Sequence, residues 1–203
     1  MSGTSGTSDT SEPGGARPPG VTARRAVLLL PLAVAAAGGA GAYALLVRMR
    51  AGTYDPRGIP SPLIGKPMPD FTLPGLDGGE GFSTADVRAA GHPILINFFA
   101  SWCVPCAAEA PQLDALHKQG VPFWGIAYKD RPDATRDFLA RNGNPYQRLA
   151  RDETGQTAIN FGLFGVPETY FIDRAGIIRW RWAGPITDDT IAHQLDPLRA
   201  KYG

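Results

Sequence analysis

Hydrophobic positions along the chain fall into three regimes. Residues 1–23 carry almost none: fifteen of the first twenty are Gly, Ser, Thr or Pro. Residues 26–47 run for 22 positions without a charge, closed by Arg24 and Arg25 on one side and Arg48 and Arg50 on the other. Beyond residue 62, short apolar runs alternate with mixed segments, the pattern of a folded domain. The first regime cannot bury enough surface to offset its ordering entropy and reads as a disordered tail. Residues 51–61, rich in Pro and Gly, read as a linker.

Within residues 62–203 the pattern predicts a definite order of elements. Phe71–Leu73 and Gly81–Ser83 form a short strand pair around Gly-Leu-Asp-Gly-Gly. Pro93–Phe99 (Pro-Ile-Leu-Ile-Asn-Phe-Phe) is nearly all apolar, as in a central strand covered on both faces. Val104–Gln119 reads as a helix stopped by Gly120, followed by a buried strand, Phe123–Tyr128, and a helix, Pro132–Asn142. Thr157–Phe161 reads as a short helical turn. Thr169–Ile172 and Ile177–Trp182 pair across Asp-Arg-Ala-Gly, and Thr187–Lys201 closes the chain as a helix with Thr187 as N-cap. Interleaved strands and helices in this order imply an α/β domain, a mixed sheet with helices on both faces.

The uncharged run over residues 26–47, within an anchor segment 24–50 that includes its flanking arginines, is long enough, at about 1.5 Å per residue, to span a bilayer of about 30 Å. It is expected to be a retained single-pass signal-anchor. A cleaved signal peptide is the alternative, with Ala42-Tyr43-Ala44 as its A-x-A site, and Arg24-Arg25 also admits a twin-arginine reading. Basic residues flank the run on both sides, so charge alone does not orient it.

Charge and cysteine content narrow the functions. The whole chain has 20 Lys and Arg against 19 Asp and Glu, which gives no support for nucleic acid as a partner. Two cysteines exclude a disulfide-dense scaffold and any four-thiolate zinc or iron–sulfur site supplied by this chain alone. No metal or organic cofactor is expected. A single small domain points to a monomer.

Both cysteines lie in one motif, Trp102-Cys103-Val104-Pro105-Cys106, between an apolar strand and a helix. Cys103 falls at the helix N-terminus, where the macrodipole and free N–H groups favour a thiolate, the attacking species in disulfide exchange. Cys106 is one turn on, in reach to resolve a mixed disulfide. Pro105 sits in the first turn, where its missing N–H costs nothing. The competing assignments are half of a zinc site or two inert buried cysteines. The first lacks a second pair, and His92, His117 and His193 are scattered.

The Ala-Ser-Trp-Cys-x-Pro-Cys box and the later Gly162-Leu-Phe-Gly-Val-Pro-Glu-Thr169 resemble the thioredoxin superfamily. More narrowly, they are similar to its membrane-anchored DsbE/CcmG branch, the thiol:disulfide interchange proteins of cytochrome c maturation. The resemblance covers residues 61–202 and includes Pro62-Leu-Ile-Gly-Lys-Pro67, Asp70-Phe-Thr-Leu-Pro74 and Gly125-Ile-Ala-Tyr-Lys-Asp130. It implies a thioredoxin-like fold with Cys103 and Cys106 as the catalytic, redox-active pair. Pro167 matches the superfamily's cis-proline opposite the cysteines, and the Val166 backbone beside it would pair with substrate. Trp102 would cover the sulfurs. Glu109 and Glu168 match the branch's acidic positions, where a carboxylate could oppose thiol ionisation and help move protons. Asn97 stands where ordinary thioredoxins keep a buried Asp. Tyr128 and Lys129 are further candidates.

By the same resemblance the domain faces the periplasm from the inner membrane. It reduces the heme-attachment cysteines of apocytochrome c, or a maturation thiol protein, and is recharged by an upstream membrane thiol reductase. The alternatives are a general extracytoplasmic oxidant or isomerase, and a non-catalytic assembly or copper-handling module on the same fold.

Overall fold

A computed structural model describes residues 21–50 and 61–203; in the first helix the side chains of residues 21–29, 32 and 48–50 are not described. Of the tail expected over residues 1–23 and the linker expected over 51–61, residues 1–20 and 51–60 therefore lie outside the described residues. The chain separates into two units, Met1–Pro56 and Arg57–Gly203.

In the first unit a 30-residue helix, α1, runs Val21–Arg50 and carries Pro31 inside it. It takes in Val21–Ala23, which composition had placed in the tail. Among the described residues no helix is long and apolar enough to cross a membrane.

The second unit is built on a five-stranded mixed sheet. The element order is β1 (Thr72–Leu73), β2 (Phe82–Ser83), α2 (Thr84–Ala89), β3 (Ile94–Phe99), α3 (Val104–Lys118), β4 (Phe123–Tyr128), α4 (Pro132–Asn142) and β5 (Arg148–Asp152). Next come α5 (Gln156–Asn160), β6 (Glu168–Ile172), β7 (Ile178–Ala183), α6 (Asp188–Thr190), a π-helical turn (Ile191–Leu195) and α7 (Asp196–Tyr202). Strand order is β5-β4-β3-β6-β7; β3 runs parallel to β4 and antiparallel to β6, and β5 is parallel to β4. β1 and β2 form a separate antiparallel pair, and Arg151 N donates to Pro74 O to hold them beside β5.

Side-chain alternation on β3 divides the core. Leu95 and Phe99 face one side, packed with Leu113 and Leu116 of α3, Phe138 and Leu139 of α4 and Leu195 near the C-terminus. Ile94, Ile96 and Phe98 face the other side, with Val87 of α2, Ala158 and Phe161 beside α5, and Tyr170. Helices thus cover both faces, as the pattern predicted. Two successive parallel steps, β3-α3-β4 and β4-α4-β5, march in one direction, so α3 and α4 share a face. The return to β6 through α5 crosses the other.

The pattern had missed three features. β5 reads Arg-Leu-Ala-Arg-Asp; it is a sheet edge, so the arginines are only half-buried while Ala150 and Asp152 turn inward. α2 has only six residues and is set by its capping box: Ser83 Oγ accepts from Asp86 N at 3.3 Å, and Asp86 Oδ2 accepts from Ser83 N at 2.7 Å. The terminal helix is not continuous but widens into a π turn just before Pro197, whose missing N–H cannot sustain an interior helical bond.

Candidate redox site

The site grows from the C-terminal end of β3. Buried Phe98, Phe99 and Ala100 bring the strand to its end, and the chain turns at Ser101-Trp102 before α3 begins. Asp130, just past β4, holds that turn. Its Oδ2 accepts from Ser101 N at 2.7 Å and from the Thr135 hydroxyl at 2.8 Å. Its Oδ1 accepts from the Ser101 hydroxyl at 2.8 Å and from Arg131 N at 2.9 Å. The loop that presents the cysteines is therefore tied to the start of α4 by one buried carboxylate.

Cys103 is the N-cap of α3, with Val104, Pro105 and Cys106 as its first turn. Its sulfur accepts from Cys106 N at 3.1 Å, one of the free donors every helix N-terminus offers. The same donor is in place for a thiolate when the pair is reduced. Here the pair is a disulfide, S–S 2.06 Å with Cα atoms 5.3 Å apart, and both cysteines are buried. Val166–Pro167 is a cis peptide, as the resemblance implied. Val166 packs against both core clusters, the cysteine-side one included, just before β6, the strand that pairs with β3.

Trp102 and Val104, on either side of Cys103, are 59% and 80% exposed. The Trp102 ring lies outward with its centroid 6.4 Å from that of Tyr128, over which the Lys129 ammonium sits at 5.4 Å. Tyr128 and Lys129 thus neighbour Trp102 at the rim. Lys129 has φ +46°, a left-handed turn that directs the chain off β4.

The two acidic candidates separate. Glu109, one and a half turns into α3, is buried on the cysteine side. Its Oε1 accepts from Asn97 Nδ2 at 3.2 Å and its Oε2 from Ile186 N at 2.8 Å. Burial pushes its carboxyl up to about 7, against the pull of those two hydrogen bonds. Asn97 also donates to the Thr169 hydroxyl at 2.9 Å and accepts from the Tyr146 hydroxyl at 2.7 Å. Burial, with the Glu109 charge nearby, holds the Tyr146 phenol well above its ordinary range. A chain of polar groups thus runs under the redox helix, from Ile186 through Glu109 and Asn97 to Tyr146.

Glu168 points the other way. It pairs in register with Phe98 and shares the parity of Tyr170 and Ile172, which pack on the face away from α3. Its Oε1 is engaged by Arg181 Nε and by the Tyr170 hydroxyl, and its Oε2 accepts from Phe164 N at 3.2 Å. The structure does not bring Glu168 to the sulfurs. It anchors the loop that precedes Pro167.

Pattern reading had singled out neither Asp130, Tyr146 nor Arg181 for a role at the site. Tyr146 sits in an irregular segment after α4 and becomes visible only once Asn97 is known to face it. Asp130 had a usable signal: an Asp just after a buried strand and two residues before a helix's first Pro is placed to cap.

A cysteine pair closed as a disulfide at a helix N-terminus, a cis-proline at the end of the neighbouring strand and a mixed sheet beneath define a thioredoxin-like thiol–disulfide oxidoreductase. A family model described as AhpC/TSA matches residues 64–181. The chain is 41% identical over 175 residues to thiol:disulfide interchange protein HelX of Rhodobacter capsulatus, covering 86% of this chain and 96% of that protein. It is 40% identical over 179 residues to thiol:disulfide interchange protein DsbE of Escherichia coli, covering 88% and 96%. Among solved structures, a putative DsbE from Chlorobium tepidum superposes with a TM-score of 0.57 at 30% identity, over 69% of this chain and 98% of that one. The chain belongs to the AhpC/TSA family, and within it to the DsbE-type thiol:disulfide interchange proteins.

Proposed function

We propose that the protein is a membrane-anchored periplasmic reductant, which opens the disulfide of an apocytochrome c heme-attachment segment or of a maturation thiol protein before heme is joined. Cys103 attacks as thiolate, and the leaving substrate sulfur takes a proton. Cys106 then attacks the mixed disulfide and releases the substrate as a dithiol, leaving Cys103–Cys106 oxidised. Two electrons pass to the substrate, and an upstream membrane thiol reductase returns them.

The observation that carries this reading is the buried Cys103–Cys106 pair at the α3 N-terminus beside cis-Pro167, in a chain so similar to HelX and DsbE over nearly its whole length. Anchoring is supported by the uncharged run over residues 26–47 and by the exposed apolar side chains of α1, among them Leu30, Val34 and Leu46. The protein works as a monomer on the periplasmic side of the inner membrane, without nucleic acid.

The deciding measurement is the reduction potential of Cys103–Cys106 in defined thiol buffers. A value near that of thioredoxin, about −270 mV, is expected of a reductant. A value near about −120 mV would make the protein a disulfide donor and overturn the proposal.

A further inference from the structure

The redox loop is flanked on two sides. β3 leads into it, and two strands neighbour β3 at that end of the sheet. One is β6, with cis-Pro167 just ahead of it; the other is β4, with Lys129 just past it. β3 and β4 run parallel, about 4.8 Å apart, with Phe99 level with Ala127. Two residues beyond that pair on each chain stand Ser101 and Lys129. Asp130 joins the two chain segments there, accepting from the Ser101 N–H at 2.7 Å and from its hydroxyl at 2.8 Å. Ser101 is two residues, at most about 7 Å of chain, from Cys103. Lys129 thus stands on the opposite side of the cysteine loop from cis-Pro167.

Lys129 is exposed, yet its position is fixed. Among the described residues it is the only one other than Gly with a positive φ, +46°, a conformation that persists only where the surroundings over-determine it. Its N–H donates to Asp152 O at 3.0 Å. Its side chain lies across Gly155, where an added Cβ would come within 2.3 Å of Lys129 Cε and 3.2 Å of its Nζ. Its ammonium sits 5.4 Å from the centre of the Tyr128 ring, which is itself 6.4 Å from that of Trp102. The ammonium therefore lies within about 12 Å of the exposed indole beside Cys103.

What that ammonium lacks is a carboxylate. Arg131 pairs with Asp133 at 2.6 Å, Arg136 with Asp77 at 3.3 Å and Arg151 with Glu153 at 3.0 Å. Among the described residues no ion pair includes Lys129. A cation placed in advance and left unpaired near a nucleophile gains from a charge that the substrate brings, because little of its own freedom remains to be lost.

We infer that Lys129 is a specificity-determining residue: its ammonium receives a carboxylate side chain of the disulfide-bearing polypeptide, on the β4 side of Cys103. It takes no part in the exchange of electrons. Extended chain covers at most about 10 Å in three residues, so the acidic side chain stands about two to four residues from the attacked cysteine. The inference rests on the proposed reductase reading and adds a charge that selects its substrate.

The test uses the full-length reduced protein in detergent, in about 0.1 M salt, where a charge is felt over only about 10 Å. The probes are synthetic peptides with an oxidised Cys-Ala-Ala-Cys-His flanked by Gln. One carries Gln throughout, and the others carry a single Glu at the second, third or fourth position to either side. The small disulfide 2-hydroxyethyl disulfide, which has no charge, reports exchange alone. The readout is kcat/KM for each peptide divided by the rate constant with that small disulfide. The wild type is expected to favour at least one Glu peptide over the all-Gln peptide by about threefold to fivefold, mainly through KM. Lys129→Gln should abolish the preference and Lys129→Arg should keep it. Lys129→Glu should turn it toward a peptide with Lys in the same place, which a merely structural role would not do. Arg131→Gln, two residues along and already paired, should leave it in place.

Equal ratios for all peptides in the wild type overturn the inference. So does a preference that survives Lys129→Gln. An equal loss in Arg131→Gln would assign the preference to the general field of the surface and overturn it too. If neither 2-hydroxyethyl disulfide nor any peptide is reduced, it is the reductase reading that has failed.

Discussion

Glu109 gives the domain a pH-dependent stability that can be worked out from its surroundings. Its carboxyl is buried, and its protonation lies near about 7 instead of the ordinary 4.5. Between those values the folded protein keeps a proton that the unfolded chain has released, so stability falls as pH rises. Stability from this group is full below about 4.5, and its loss is complete above about 7. The gap, at about 1.4 kcal/mol per tenfold, comes to about 3 kcal/mol, a large part of a domain's whole stability. Glu109→Gln should remove the slope. The amide fits the same space, and the network can accept it. Turning the Asn97 amide over presents its oxygen to the new Gln N–H, while the Thr169 and Tyr146 hydroxyls reverse their donation. Denaturant unfolding of the oxidised protein across this range should show the wild type falling by about 3 kcal/mol relative to the variant. Parallel curves for the two proteins would refute the assignment of the buried proton to Glu109.

The other buried carboxylates make separate expectations. Asp130→Ala strips four donors of their acceptor and should cost about 2–4 kcal/mol in unfolding experiments, with the Ser101 amide exchanging faster than in the wild type. Slow exchange retained at Ser101 would mean that the turn does not depend on the clamp. Glu168→Gln leaves Arg181 without its charge partner and should cost about 3 kcal/mol. It should leave the pH–rate profile of Cys103 in place, because the side chain lies across the sheet. A shift of that profile in Glu168→Gln would contradict the placement.

The central fold was legible where side chains repeat with a period. β3 announced itself by five apolar residues in a run of six, broken only by Asn97, and α3 by its cysteine turn and its terminal Gly120. Edges were harder. Arg148 and Arg151 on β5 spend their long side chains on partners at the rim, Arg148 on Asp86 and Gly81 O, so their charge does not report the strand's inward residues. α2 is too short for any period to register, although its Ser-x-x-Asp box was in view. At the site, the cysteines and Pro105 could be placed because a helix start fixes each of them, whereas Pro167 was placed by its match to the superfamily's cis-proline. Tyr146 and Asp130 act through contacts 49 and 29 residues distant in sequence, which no local pattern carries.

The division between Glu109 and Glu168 is settled by the parity of one strand. β6 alternates, so Glu168 and Thr169 must look to opposite faces. Thr169 is the one that reaches the polar chain beneath the redox helix, through Asn97. Glu168 is left on the far face, where an uncompensated buried carboxylate would be costly, and Arg181 and Tyr170 both converge on it. The motif Pro167-Glu168-Thr169 therefore carries two structural tasks on adjacent residues. Thr169 ties the sheet to the proton-holding network, and Glu168 fixes the loop that sets Phe164 and Pro167 in place. The carboxylate that fixes the loop and the hydroxyl that joins the buried polar chain are thereby kept on opposite sides of a single strand, so that a change in one need not disturb the other.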